Sequence, residues 1–494
     1  MKTSKEKASD QHISAFITDD FLLENEAART LYHTYGEALP ILDFHSHLDP
    51  EWIASDARFD NLAQLWLAGD HYAWRAMRAS GIDERYISGD APDWEKFQKW
   101  AETVPQTLGN PLYHWVHMAL QKPFGIRDRL FGPKTAEAIW EHCRARLQEE
   151  DFSCRGILRQ MNVALVCTTD DPCDCLEHHR KIAEDATCDI QVLPTFRPDR
   201  ALAVKDPARF NSWVDQLAAA ADVDIKEYSS YLDALRKRHG FFHDAGCRIS
   251  DHGLESVPAE DSSEAGVRSA FDRLRSGEAL SGKAAAELQS AVLHELAVMN
   301  LEKGWVQQFH IGALRNTNTR LLSLLGADAG CDSIGDSNYG RSLAKFLDRL
   351  DQKDRLAKTI LYNLNPRDNE MIVSLAGSFQ DGSVPGKIQV GSAWWFLDQK
   401  DGIERQLSAL SHMGLLSRFV GMVSDSRSFL SFNRHEYFRR VLCNFLGRDI
   451  ERGLLPRDFR GIGSLIKDIC YRNAAEYFGF ERLRPGDKGG ERES

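Results

Sequence analysis

Short apolar runs bounded by polar residues recur along the chain, separated by longer stretches in which apolar positions return at roughly helical spacing. Eight such runs stand out: Ile41–Leu48, Val163–Asp170, Ile190–Arg197, Cys247–Gly253, Trp305–Leu314, Thr359–Asn365, Ile388–Trp395 and Val420–Ser428. The stretches between them, such as Glu264–Leu301 and Tyr339–Lys358, are rich in the helix formers Ala, Leu, Glu, Lys and Arg. Alternation of this kind predicts an α/β protein built from strand–helix units with parallel strands. Eight units suggest a closed (β/α)8 TIM-type barrel, with an open doubly wound sheet as the competing arrangement. No GxGxxG follows an early strand, and the chemically informative residues fall at the C-terminal ends of several runs, where barrels collect their active sites.

About 115 residues separate the first two runs, far more than a crossover needs. Within them Asp60–Met77, Trp94–Thr103, Pro111–Leu120 and Thr135–Gln148 are helix-like and aromatic-rich, which predicts a helical insertion over the active-site face. The expected organisation is therefore an N-terminal helix region with the first strand (1–48), the insertion (49–160), the remainder of the barrel (161–480) and a disordered tail (481–494). Apolar helices of the insertion offer a surface for homo-oligomer formation. Hydrophobic residues make up 43% of the chain and charged residues 27%, an ordinary balance for a folded protein. A net charge of −12 argues against nucleic acid or anionic membrane as partners, so any anionic ligand must be held by a few placed cations. Met1–His12 carry no apolar run suited to a signal peptide, and no stretch reaches membrane-spanning length. The ten cysteines are scattered, which suits a reducing, cytoplasmic setting; Cys173 and Cys175 flank Asp174 without a second pair and read as a loop with two free thiols.

The strongest local signal is Asp43-Phe44-His45-Ser46-His47-Leu48-Asp49-Pro50. Residues two apart in a strand share a face, so His45 and His47 can converge on one divalent ion, although two polar residues closing a strand would look the same. His310 in Gln308-Phe309-His310-Ile311-Gly312 and Asp425 in Val423-Ser424-Asp425-Ser426-Arg427 also stand where apolar runs end. His310 suits a metal ligand or a substrate contact equally, and Asp425, beside an arginine, should stay ionised as ligand or base. A barrel would bring these four together. His142, His178, His179 and His435 fall in helix-like stretches and read as structural, His239 and His243 flank a turn, and Tyr362-Asn363-Leu364-Asn365-Pro366 shapes the end of its strand.

Phe44-His45-Ser46-His47-Leu48, Asp70-His71-Tyr72-Ala73-Trp74-Arg75, Pro194-Thr195-Phe196-Arg197-Pro198-Asp199, His310-Ile311-Gly312-Ala313, Arg315-Asn316 and Ser424-Asp425-Ser426-Arg427 together resemble the uronate isomerases of the amidohydrolase superfamily. The likeness runs from Phe21-Leu22-Leu23 to about Phe478. It implies one divalent metal, usually zinc, on residues matching His45, His47 and Asp425, with His310 close by. Many hydrolases of the superfamily carry a strand-four lysine that bridges two metals, but Cys247–Gly253 has none and offers Asp251 and His252 instead. That departure disfavours a binuclear hydrolase site.

The resemblance further implies a hexuronate substrate, with D-glucuronate going to D-fructuronate and D-galacturonate to D-tagaturonate in bacterial hexuronate breakdown. It places His71 and Tyr72 over the substrate, Tyr72 near the reacting carbons, and Arg197 and Arg315 as the substrate arginines. A tyrosine base needs a nearby cation, for which Arg427 is the nominee, and Asp425 would assist ring opening or move hydroxyl protons. Trp394 walls the pocket, and Asp251 orients an arginine or a sugar hydroxyl. A mononuclear metal-dependent hydrolase of the same superfamily and a non-catalytic sugar-acid binder are the competing functions.

Overall fold

The computed structural model describes residues 16–480, so the tail expected at 481–494 and the first part of segment 1–48 lie outside the described residues. Nine strands are found there: β1 Ile41–Asp43, β2 Val163–Cys167, β3 Gln191–Leu193, β4 Ile249–Leu254, β5 Val306–Ile311, β6 Ala313–Leu314, β7 Ser333–Ile334, β8 Thr359–Asn363 and β9 Ile388–Val390. Two parallel sheets run β1-β2-β3 and β4-β5-β8-β9, and parallel bridges from Asp170 to Phe196 and from Phe196 to Ser250 connect β2, β3 and β4. β6 and β7 form a separate antiparallel pair after β5. Nearly every residue of the parallel strands is buried, which is why they appear in the sequence as continuous apolar runs rather than alternating ones.

Two strand expectations change. The first strand stops at Asp43, so His45 and His47 are aligned by a loop and not by strand pleat. That loop is fixed by its own backbone: Ser46 N donates to Cys167 O at 2.9 Å and His47 N to Ser426 O at 2.9 Å. The second change concerns Val420–Ser428, which is not a strand. Gly421 (φ +85°) and Asp425 (φ +45°) are left-handed and break the extended run. Instead Ser424 N donates to Asp43 Oδ1 at 2.8 Å and Asp425 N to His45 O at 3.2 Å, which ties this segment to the end of β1.

Only helices lie between β1 and β2, from Pro50–Ala54 through Cys154–Gln160. Their core is aromatic: Phe97, Trp100 and Phe131 are fully buried, and Trp66 stacks on Phe131 with ring centres 5.8 Å apart. The helix that matters for the site, His71–Ala79, starts where it does because Asp70 caps it, accepting from Tyr72 N and Ala73 N. Among the described residues no helix is long and apolar enough to cross a membrane. All ten cysteines are free, and the histidines read as structural have ordinary partners: His142 on Phe124 O at 2.9 Å, His179 on Thr168 Oγ1 at 2.7 Å, and His239 on Asn300 Oδ1 at 3.1 Å.

Behind the strand ends, the buried Tyr362 ring stacks on His310 with centres 4.1 Å apart, and a Cβ added at Gly391 would sit 2.2 Å from that ring. Gly391→Ala is therefore expected to destabilise the protein by on the order of 1–3 kcal/mol, read from denaturant midpoints. Gly377→Ala, where nothing lies within 4 Å of the added carbon, is expected to leave the midpoint unchanged or raise it.

Candidate active site

At the strand ends, a cavity of about 410 Å³ is lined by His45, His47, His71, Tyr72, Arg197, His310, Arg315, Trp394, Asp425 and Arg427, among others. That volume suits a small polar ligand. Asp425 is its centre. The Nε2 atoms of His45 and His47 each lie 3.1 Å from its Oδ1, and Trp394 Nε1 donates to its Oδ2 at 2.7 Å. Burial alone would raise the Asp425 carboxyl, but the hydrogen bonds from the two imidazoles outweigh it and hold the group well below its usual range. Burial pushes His47 down toward its neutral form.

His45, His47 and Asp425 each offer a ligand atom within 4.8 Å of the others, and His45, Asp251 and His310 form a second such trio. The donor chemistry fits a divalent cation, since imidazole nitrogen and carboxylate oxygen are the ligands zinc and its neighbours accept. His310 supports the fit. Its Nδ1 donates to Asp251 Oδ1 at 2.6 Å, which turns the Nε2 lone pair inward, and that buried atom has no hydrogen-bond partner.

Four sequence expectations are refined by position. Asp251 is fully buried and does not line the cavity, so it cannot touch a sugar hydroxyl directly; it holds His310 and, at 3.2 Å, Arg197 Nη1. Arg197 also donates from Nε to Asp199 Oδ2 at 2.8 Å, and the space for its guanidinium exists because residue 253 is glycine: a Cβ there would lie 2.6 Å from Nη2. Arg315 faces the cavity over the Trp395 ring, 4.8 Å away, and pairs with Asp332 at 3.0 Å. Arg427 is not the cation beside Tyr72. It is 37% exposed and reaches Asp328 at 3.6 Å, whereas the guanidinium over the Tyr72 ring, 4.8 Å away, belongs to Arg434.

Tyr72 itself donates its hydroxyl to Asp398 Oδ2 at 3.0 Å. Burial and then the Asp398 charge push its phenol well above the usual range, so it is protonated in this arrangement. Sequence reasoning missed Asp398, Arg434, Asp199 and Asp332. Only Asp199 had a local signal, standing two residues after Arg197 in the same motif.

Imidazoles from the loop after β1 and a carboxylate from the segment Val420–Ser428 meet at one cation-sized point, with guanidinium groups facing it, in an α/β protein of parallel strands. Comparison makes this specific. The sequence pattern of the glucuronate isomerase family matches residues 13–478. The uronate isomerase of Cellvibrio japonicus is 55% identical over 94% of this chain and 99% of that protein. The uronate isomerase of Bacteroides thetaiotaomicron is 51% identical, again over 94% of this chain and 99% of that protein. Among solved structures, a uronate isomerase from Thermotoga maritima superposes with a TM-score of 0.88 at 36% identity, covering 94% of this chain and 99% of that one. A glucuronate isomerase from Caulobacter crescentus gives 0.87 at 28% identity, covering 95% and 98%. The chain belongs to the uronate isomerase family.

Burial would raise the Asp251 carboxyl, but His310 and then Arg197 more than compensate and hold it well below its usual range. A carboxylate depressed in this way contributes stability above its unfolded pKa of about 3.9, and the contribution fades as pH falls toward its folded value. Asp251→Asn is accordingly expected to cost about 3 kcal/mol near neutrality. The gap from wild type should hold down to about pH 4 and shrink below it, as denaturant midpoints measured across that range would report.

Proposed function

We propose that this chain interconverts D-glucuronate with D-fructuronate and D-galacturonate with D-tagaturonate, by proton transfer through an enediol. One observation carries the reading: His45, His47 and Asp425 meet within 4.8 Å in a cavity that Arg197 and Arg315 also face. The first trio suits one cation, the arginines suit a carboxylate, and the relatives above are uronate isomerases. On this reading the parallel strands close as a (β/α)8 barrel, with Val420–Ser428 in the eighth position and residues 49–160 as a helical insertion over its mouth. Hydrogen bonds from Ser424 and Asp425 to the end of β1 support closure. Ten unpaired cysteines support a reducing compartment.

His45, His47 and Asp425 would hold one divalent ion, zinc on this reading, with His310 Nε2 beside them. When bound, such an ion supplies Lewis-acid charge to an oxygen next to the reacting carbons. The remaining work falls to side chains. Arg197 and Arg315 bind the carboxylate, for which the guanidinium fork is suited, and Trp394 and Trp395 wall the sugar. Asp425, kept ionised by its neighbours, moves the hydroxyl proton from O2 to O1. Tyr72, capped into place on its helix, moves the carbon-bound proton from C2 to C1, and His71 stacks beside it at 5.1 Å.

Incubation with D-glucuronate in deuterated water should yield ketose labelled at the carbon next to the carbonyl; absence of both ketose and label would refute the reading. The competing metal-dependent hydrolase is separated by Tyr72→Phe. A proton-transfer tyrosine predicts a loss of kcat on the order of 10²- to 10⁴-fold, whereas a hydrolase acting through activated water would keep most of its rate.

A further inference from the structure

Tyr72 poses a chemical difficulty for the reaction just proposed. A phenol that is to take a proton from carbon must first lose its own, yet this one is protonated and faces an anion. The surroundings of its hydroxyl point to how that happens. Asp398 Oδ2 accepts from Tyr72 Oη at 3.0 Å and from Arg434 Nη1 at 3.1 Å, and both partners of that ion pair are only 5% exposed. The same Nη1 also donates to Ser424 O at 3.2 Å, on the residue before Asp425. Arg434 lies in a slot between the Tyr72 ring at 4.8 Å and the Trp115 ring at 4.4 Å. Asp398 follows Trp394-Trp395 after β9, Arg434 lies in the helix Asn433–Glu451, and Tyr72 lies in the helix His71–Ala79. Three distant parts of the chain therefore converge on one phenol. Neither Asp398 nor Arg434 lines the main cavity; Arg434 borders only a small adjoining pocket of about 20 Å³ that it shares with His71, Tyr72 and Asp425.

We infer that Asp398 and Arg434 are positioning residues that ready Tyr72 for proton transfer, Asp398 as the acceptor of its proton and Arg434 as the charge that stabilises the phenolate left behind. The inference rests on the isomerase reading. Its steps balance without any outside reagent. The Tyr72 O–H bond breaks and an O–H bond forms on Asp398 Oδ2. The phenolate oxygen then takes the C2 proton, leaving an enediolate. Tyr72, whose proton can exchange with water at this stage, then protonates C1 while Asp425 carries the O2 proton to O1, and Asp398 finally returns its proton to the phenolate. Burial, opposed by the Arg434 charge and the Tyr72 hydrogen bond, brings the Asp398 carboxyl up to about 7, so it is a better proton acceptor than an ordinary aspartate. Arg434 meets the need for a buried cation that keeps its charge under all conditions, as guanidinium does.

The test is a double-mutant cycle read in kcat and KM with D-glucuronate, using the metal-loaded enzyme. Ketose formation by wild type checks the functional reading separately; if it fails, that reading falls, whatever the variants do. Asp398→Asn keeps the hydrogen-bond acceptor and shape but cannot take up the proton. It should lower kcat on the order of 10²-fold with KM little changed. Asp398→Glu should regain a good part of that loss, and adding Asp398→Asn to Tyr72→Phe should cost nothing further, because the relay has already been removed. Wild-type kcat in Asp398→Asn, a loss confined to KM, or a loss that adds in full to that of Tyr72→Phe would each overturn the inference. If Asp398→Asn does not fold, Arg434→Lys serves in the same cycle, since an ammonium lacks the planar fork and cannot keep its place between the two rings. The same three outcomes then decide.

Discussion

The structure depends on one partly buried carboxylate having more than one polar partner. Asp425 sits at a left-handed backbone position, φ +45°, a conformation that costs a non-glycine residue energy and persists only where its surroundings dictate it. Two imidazoles from the loop after β1 and the Trp394 indole hold its carboxylate, and the Asp425 amide is spent on His45 O. A lone anion in such a place would be expensive to bury, and the Trp394 N–H together with the two imidazole contacts offsets that cost. Beside them, Ser424 N to Asp43 Oδ1 and Asp425 N to His45 O tie the segment Val420–Ser428 to the end of β1 and the loop that follows it. Site and frame are therefore one construction, and His435, 3.4 Å from the Asp43 that anchors Ser424, belongs to its support.

The same device recurs around the cavity. Four groups that face the ligand space are backed by acids that do not line it: Asp251 behind His310 and Arg197, Asp332 behind Arg315, Asp398 behind Tyr72. Backing of this kind does two things. It fixes orientation, because a ring or guanidinium with one edge bonded has few rotamers left, and it sets protonation, because the buried charge decides which form of its partner is favoured. It also reconciles a chain of net charge −12 with an anionic ligand, since the cations are few and each is held in place.

This layering explains how far the sequence could be read. Cavity-facing residues were legible because they fall where apolar runs end, in short motifs such as Phe44-His45-Ser46-His47 and Ser424-Asp425-Ser426-Arg427. Their backing partners were not. Arg434 and Asp398 are a helical arginine and a turn aspartate in local surroundings like those of many surface residues, and only folding buries them. Asp251 was noticed, but its burial was not, so it seemed able to reach a substrate. Strand lengths were overestimated for a related reason: apolar character continues past the point where side-chain and loop hydrogen bonds replace the ladder, as at Ser424, whose amide goes to Asp43.

The choice between Arg427 and Arg434 shows the same limit in its sharpest form. Arg427 is two residues from Asp425, and proximity in sequence made it the natural neighbour for Tyr72. In space the two arginines divide a burial gradient. Arg427 stands at the cavity edge, 37% exposed, where solvent screens its charge and a carboxylate from Asp328 can approach it. Arg434 is 5% exposed, sandwiched between two rings and bonded to an acid, where the low polarity of its surroundings makes one charge act strongly over a few ångströms. A mouth cation is suited to meeting an arriving anion, while a cation that must steady a transient phenolate has to be dry, fixed and always charged. Of the two, only Arg434 meets those conditions.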